Sequence, residues 1–129
     1  MKLLIKDETF TGDILNKIEI EIANELITVK DLIASRVQAE VNRYNQKSSE
    51  FFKGLIQPSD TEKTLNGFKF KKKRNIDAEK QVYIALDSFQ KNSYFILIDD
   101  TQAESLDQEI LIHKDTSVSF LKLTPLVGG

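Results

Sequence analysis

The residues best suited to chemistry stand at the end of the sequence, where Gly128 and Gly129 follow Pro125, Leu126 and Val127. Glycine has no β-carbon, so two glycines in a row allow the chain to lie extended in a narrow channel. A terminal carboxylate with no side chain near it is accessible to an enzyme that activates it chemically. We therefore expect Gly128 and Gly129 to form the working part of the chain.

The segment before the glycines has the pattern of a β-strand. Val118 and Phe120 alternate with Ser117 and Ser119, as expected for a strand with one buried face. Pro125 has no backbone N–H to donate to a neighbouring strand, so strand pairing should end before it. The pattern predicts a strand followed by a flexible, extended arm over residues 124–129. The alternative is that the two glycines are only a frayed terminus.

The first part of the chain has the pattern of a β-hairpin followed by a helix. Residues 2–6 form an apolar-rich run, and isoleucines alternate with charged residues over 17–22. Gly12 and Asp13 lie between these segments and favour a turn. Thr28 is a good helix N-cap, and Asp31 falls in the first turn, where the helix dipole favours negative charge.

The helix is predicted to pack across the sheet through one apolar stripe. Its members recur at helical spacing, and they are Val29, Leu32, Ile33, Val37, Val41 and Tyr44. Four charged residues are expected to lie away from that stripe, and they are Lys30, Arg36, Glu40 and Arg43.

Residues 45–93 are interpreted as an insertion that contains a second helix capped by Asp77. The apolar run Tyr94–Ile98 suits a strand covered on both faces, and Ile110–Ile112 suits a short strand. The sequence thus predicts a single α+β domain over residues 1–129.

Composition excludes several classes of protein and site. The chain has no cysteine, so disulfides, thiolate metal sites and cysteine nucleophiles are impossible. One histidine, His113, cannot assemble an ordinary zinc site, and no metal site is predicted. No apolar stretch reaches the length of a membrane span, and the N-terminus turns acidic too early for a signal peptide. We expect a soluble, cytoplasmic protein with no membrane partner.

The predicted order of elements resembles the β-grasp fold of ubiquitin-like proteins, a mixed sheet with a helix packed across it. The C-terminal part is similar to sulfur carriers such as the small subunit of molybdopterin synthase and the thiamine-pathway carrier. The residues that carry this resemblance are Val118, Phe120, Pro125, Leu126, Val127, Gly128 and Gly129. It covers residues 1–44 and 94–129, and bacterial ubiquitin-like modifiers vary more in length than the small carriers.

The resemblance implies that the chain is a substrate of other enzymes and not an enzyme itself. A partner adenylating enzyme would consume ATP at Gly129, while Pro125, Leu126 and Val127 would dock on that enzyme; the chain itself would bind no cofactor. A modifier would then pass to lysines of target proteins through a conjugating enzyme, and a deconjugating protease would remove it. A sulfur carrier would instead bear a thiocarboxylate, and a plain interaction module would use neither chemistry.

Three other features could carry function. The basic run Lys71, Lys72, Lys73 and Arg74 could contact an acidic partner surface, and we favour that or a solvated loop over nucleic acid binding. Asp99 and Asp100 are adjacent carboxylates, which we interpret as a strand end because neighbouring strand residues point in opposite directions. His113 is expected on the surface at a turn.

Overall fold

A computed structural model describes residues 1–46, 63–64, 67–68 and 77–122. Its two helices are α1 (Val29–Gln46) and α2 (Ala78–Gln90). Its strands are β1 (Lys2–Glu8), β2 (Ile14–Glu21), β3 (Leu26–Thr28), β4 (Lys63–Thr64), β5 (Gly67–Phe68), β6 (Tyr94–Ile98), β7 (Thr101–Gln102), β8 (Glu109–Leu111) and β9 (Val118–Lys122).

Five strands form the main sheet, in the order β2-β1-β9-β6-β7. The pair β1 and β9 is parallel, whereas β1 with β2, β6 with β9 and β6 with β7 are antiparallel. The last described strand therefore lies at the centre of a mixed sheet. The coarse prediction of an α+β fold is confirmed, and two short ribbons, β3 with β8 and β4 with β5, stand apart from the main sheet.

The predicted hairpin is present, and its strands are longer than the sequence pattern suggested. β1 and β2 pair from Lys2 with Glu21 to Glu8 with Ile14, and the register shifts between Asp7 and Glu8. Gly12 has a φ of 94° in the connecting turn, a conformation that residues with a β-carbon rarely adopt. The inward-facing residues of the pair include Leu3, Ile5, Ile18 and Ile20, all buried.

α1 begins where the sequence predicted, at a reciprocal cap. The Asp31 backbone N–H donates to Thr28 Oγ1, and the Thr28 N–H donates to Asp31 Oδ2, both at 3.1 Å. All six residues of the predicted apolar stripe are buried. The stripe crosses the inner face of the sheet, which we define as the face that carries Ile5 and Phe120.

The prediction that Arg36 and Glu40 lie away from the stripe is wrong, because both are buried. Each follows a stripe residue by three or four positions, Arg36 after Leu32 and Ile33 and Glu40 after Val37, so they share its side of the helix. A buried charge is tolerated when it is paired, and Arg36 is paired with Asp7 of β1.

The second predicted helix and the strand after it are confirmed. Asp77 caps α2 by accepting from the backbone N–H groups of Glu79 and Lys80. β6 follows as predicted, but Phe95, Leu97 and Ile98 are only partly buried, so the strand is not fully covered on both faces. The predicted strand near Ile110 is present as β8, one residue earlier, in a ribbon with β3 that the sequence did not predict.

Candidate functional site

The site residues predicted from sequence lie outside the described part of the chain. This holds for Gly128 and Gly129, for the docking residues Pro125, Leu126 and Val127, and for the basic run Lys71, Lys72, Lys73 and Arg74. The structure does describe the strand that leads to the glycines, up to Lys122. The surroundings of that last residue are therefore the part of the candidate site that can be examined directly.

β9 is held on both sides until its last residue. Leu121 lies opposite Glu8 of β1 and Phe95 of β6, whereas Lys122 is paired only with Tyr94 of β6. Among the described strands, β9 is thus bordered by two neighbours up to Leu121 and by one at Lys122. In the sequence, residues 123–129 follow directly after Lys122.

Four charged side chains meet on the inner face at the end of β9. Arg36 donates to both carboxylate oxygens of Asp7, at 2.5 Å from Nη1 and 2.7 Å from Nη2. Arg36 Nε lies 3.7 Å from Glu40 Oε2, and Lys122 Nζ lies 3.9 Å from Asp7 Oδ2. We call Asp7, Arg36, Glu40 and Lys122 the inner ionic cluster; it joins β1, α1 and β9 and contains two cations and two anions.

The cluster is largely withdrawn from water. Side-chain exposure is 0% for Arg36, 1% for Glu40, 2% for Asp7 and 10% for Lys122. Within the described part of the chain, the one buried side-chain polar atom that lacks a hydrogen bond is Arg36 Nε. Removing Asp7 would leave the Arg36 guanidinium without its bidentate partner in a medium that solvates charge poorly.

Burial and pairing act in opposite directions on the two cations. Burial lowers the pKa of Arg36, but its hydrogen bond with Asp7 and the charges of Glu40 and Asp7 outweigh burial, so that pKa lies above its ordinary value. Burial also lowers the pKa of Lys122, and here the opposing effect of Asp7 is smaller, so the net shift is downward. The pKa of Arg36 is thus raised by its paired carboxylates, whereas burial dominates at Lys122.

A stack of aromatic rings connects the inner ionic cluster to α2. The Arg36 guanidinium lies 4.6 Å from the centre of the Phe120 ring, within cation–π range, and Phe120 stacks on Tyr94 at 5.6 Å. Tyr94 in turn contacts Phe89 of α2, and its hydroxyl donates to the Ala85 carbonyl at 2.7 Å. Burial raises the pKa of Tyr94 well above its ordinary value.

The outer face of the sheet carries apolar side chains at the same level. Phe10, in the hairpin turn, makes an edge contact with Phe95 of β6 at a centroid distance of 6.1 Å. Leu121 of β9 is paired with Phe95 of β6, and Ile14 of β2 is paired with Glu8 of β1. We call Phe10, Ile14, Phe95 and Leu121 the outer apolar cluster; Phe10 is 57% exposed and Ile14 is 49% exposed.

One polar contact crosses the outer face beside this cluster. The Ser119 hydroxyl donates to the Glu8 carboxylate, which joins β9 to β1. The outer face at the end of β9 thus carries apolar side chains beside one polar contact.

The remaining predicted features have structural roles. Asp99 and Asp100 both have positive φ, at 49° and 70°, and form the two-residue turn between β6 and β7, so their interpretation as a strand end is consistent with the structure. Asp99 also accepts from the Ser117 backbone N–H at 2.9 Å. His113 is exposed at a turn, as predicted, and its carbonyl accepts from the Thr116 N–H.

No group of three or more histidine, cysteine, aspartate or glutamate residues in the described part of the chain has the arrangement to hold a metal ion. Within the same part of the chain, no helix is long and apolar enough to cross a membrane.

Sequence reasoning missed the inner ionic cluster. Asp7 occupies an inward position in an alternating strand, and Arg36 and Glu40 recur at the spacing of the helix stripe. The signal in the sequence is an acid at an inward position of an alternating strand, together with a base at the spacing of the apolar helix stripe.

Comparisons of the chain with protein-family models, with curated proteins and with solved structures gave no match.

Proposed function

We propose that this chain is a ubiquitin-like protein modifier with an enlarged β-grasp fold, in which Gly129 carries the carboxylate that is activated and joined to lysines of target proteins. The observation that carries the proposal is the position of β9. β9 is central in a mixed sheet and parallel to β1, and in the sequence it is followed by the segment that contains Pro125, Leu126, Val127, Gly128 and Gly129.

The arrangement of the other elements supports the same proposal. An N-terminal hairpin is followed by α1, which packs across the sheet, and then by the strand pair β6 and β9. This is the order that the sequence resemblance to β-grasp proteins implies. α2 lies between α1 and β6 in the sequence, where the insertion was predicted.

The chemistry would take place at the Gly129 carboxyl group and not in the fold. A carboxylate oxygen attacks the α-phosphorus of ATP in the activating enzyme, which releases pyrophosphate and leaves an acyl-adenylate. A cysteine thiolate of an enzyme then attacks the acyl carbon and displaces AMP to give a thioester. Finally, a lysine amine displaces the thiolate and loses a proton, which forms the isopeptide bond.

The enzymes would need to recognise a surface near Gly129. The outer apolar cluster is the candidate for that surface, because Leu121 lies eight residues before Gly129 in the sequence and Phe10 is well exposed. Exposed aromatic and aliphatic side chains are frequent anchors in protein interfaces. The partners of this proposal are thus an adenylating enzyme, a conjugating enzyme, a deconjugating protease and the target proteins.

Two other functions remain open to experiment. A sulfur carrier would share the acyl-adenylate, and sulfide transfer would then leave a thiocarboxylate at Gly129. A plain interaction module is favoured by the outer apolar cluster alone, since exposed apolar surface of this kind often marks a binding site. That module would work without Gly128 and Gly129.

The proposal is tested by expressing an N-terminally tagged chain in its native host and blotting denatured lysate for larger tagged species. The wild type and Lys114→Ala, an exposed turn residue, should both form such species. Gly129→Ala should reduce them at least tenfold, because an added methyl group restricts the chain where it must approach the adenylate closely. Equal amounts in all three would contradict the proposal.

The sulfur carrier is distinguished by a thiol-alkylating reagent. The chain contains no cysteine, so a protein that gains mass on alkylation would carry its thiol group at the C-terminal carboxyl. Alkylation together with an absence of larger species would replace the modifier by the carrier. If neither product forms, and deletion of Gly128 and Gly129 has no effect in cells, the interaction module is the correct reading.

A further inference from the structure

We propose that Lys122 is a positioning residue. Its contact with Asp7 fixes the end of β9, directly before residues 123–129 in the sequence. This inference rests on the proposed function, since it assigns Lys122 a role in presenting Gly129. Lys122 itself takes no part in the chemistry.

The first observation is the change in strand pairing at the end of β9. Among the described strands, Leu121 has a neighbour on each side, but Lys122 is paired only with Tyr94. The end residue of a strand with one neighbour opens more readily than a residue with two, because fewer backbone contacts must be broken. A further contact is therefore needed if the end of β9 is to stay fixed.

The second observation is that the Lys122 side chain points inward and contacts a fixed carboxylate. It lies on the face that carries Phe120, it is only 10% exposed, and its ammonium is 3.9 Å from Asp7 Oδ2. Lysine at a strand end usually extends into water, since burying its ammonium is costly. Here the side chain extends toward the buried pair instead, which ties the end of β9 to β1.

The third observation is that Asp7 cannot move to follow Lys122. Its two carboxylate oxygens are held by Arg36 at 2.5 and 2.7 Å, and Arg36 is itself fixed on α1 over the Phe120 ring. A bidentate pair of this type fixes orientation as well as distance. Asp7 is thus a rigid anchor, and Lys122 is the weaker contact that attaches the strand end to it.

The test compares Lys122→Met with Lys122→Arg and Lys17→Met. Methionine keeps an unbranched apolar stem and removes the charge, arginine keeps a charge that can reach Asp7, and Lys17 is an exposed strand lysine that serves as the matched control. For each variant, amide hydrogen exchange at Leu121 and Lys122 is followed by NMR, and unfolding in urea gives the global stability.

We expect exchange at these two amides to become about threefold faster in Lys122→Met, with no comparable change at Ser119. The urea midpoint should match that of Lys17→Met, and Lys122→Arg should exchange as the wild type does. A merely structural role would lower the midpoint and speed exchange throughout the sheet. Unchanged exchange at Leu121 and Lys122, or a uniform change, would overturn the inference.

The functional consequence is measured in the same lysate assay. Lys122→Met should lower the amount of larger tagged species about threefold relative to Lys17→Met, because a less fixed starting point reduces productive placement of Gly129. An amount equal to that of Lys17→Met would overturn the positioning role. If the wild type forms no larger species and no thiocarboxylate, the proposed function fails, whereas the exchange data still report whether Lys122 anchors the strand.

Discussion

The two faces of the sheet differ at the end of β9 in a way that reverses the usual distribution of polarity. On the inner face, Lys122 approaches the buried pair of Asp7 and Arg36. On the outer face, Leu121 lies beside Phe95, and Phe10 is exposed. Charged groups are ordinarily outside and apolar groups inside, so this level of the sheet departs from the rest of the fold.

The difference indicates that the inner face fixes the geometry of the fold, whereas the outer face is suited to contact with a partner. Buried, hydrogen-bonded charges have few acceptable arrangements, so the inner ionic cluster fixes the geometry of three elements. Exposed apolar side chains stabilise the free protein little, but they gain from contact with a partner. In our account, the inner face holds the start of the C-terminal segment and the outer face offers a surface to the enzymes that act on it.

The largest expected effect comes from breaking the buried pair. Asp7→Asn should lower the free energy of unfolding by about 3 to 5 kcal/mol, because Arg36 loses its carboxylate in a buried site. The matched control is Glu19→Gln on β2, where an exposed carboxylate lies 3.8 Å from Lys2 and its loss should cost less than about 1 kcal/mol. Urea denaturation measures both, and equal costs would contradict the distinction between buried and exposed pairs.

A smaller effect is expected at Tyr94, which extends the inner face toward α2. Tyr94→Phe removes the hydrogen bond to the Ala85 carbonyl and should cost about 1 kcal/mol at pH 7. The pKa of Tyr94 is raised in the folded protein, so its contribution is complete below the unfolded value of about 10 and is lost as pH rises beyond it.

The pH dependence gives this prediction a second readout. Above about pH 10 the wild type should lose up to about 1.4 kcal/mol per pH unit relative to Tyr94→Phe, since only the wild type ionises a tyrosine at this position on unfolding. The difference between the two proteins removes the contribution of Lys122, whose lowered pKa acts in the opposite direction. A constant difference from pH 7 to pH 11 would show that Tyr94 is not held neutral by burial.

The smallest effect on stability is expected on the outer face. Phe10→Ala removes the edge contact with Phe95 and should cost about 1 kcal/mol or less, because the Phe10 side chain is already exposed. The same variant should clearly reduce the larger tagged species, whereas Leu15→Ala, at the same exposure of 57%, should not. Equal amounts from both variants would show that the enzymes do not use the outer apolar cluster.

The periodic parts of the fold were predictable from the sequence, and the polar interior was not. The alternation in β2, the cap at Thr28 and the stripe of α1 each depend on local spacing that is visible in the chain. The pair of Asp7 and Arg36 joins residues far apart in sequence, and a charged residue on its own predicts exposure. The short strands β3 and β7 were missed because two or three residues contain no periodicity.

The predicted site at Gly128 and Gly129 depends on local chemistry alone. Activation at the carboxyl group is inferred from the conformational freedom of glycine, and it stays a prediction because both residues lie outside the described part of the chain. The central position of β9 and the clusters on its two faces depend on strand order, which no local pattern specifies. The ionic contact at Lys122 depends on the same strand order and has no local signal in the sequence.

The most direct test of the account is the chemical state of the Gly129 carboxyl group in protein isolated from the native host. Trypsin cleaves after Lys122 and releases residues 123–129 as one peptide, whose mass and fragments are read by mass spectrometry. The account predicts this peptide in an isopeptide bond between Gly129 and a lysine side chain of another protein. Recovery of the peptide solely with a free carboxylate at Gly129, from cells that express the protein at its natural level, would contradict it.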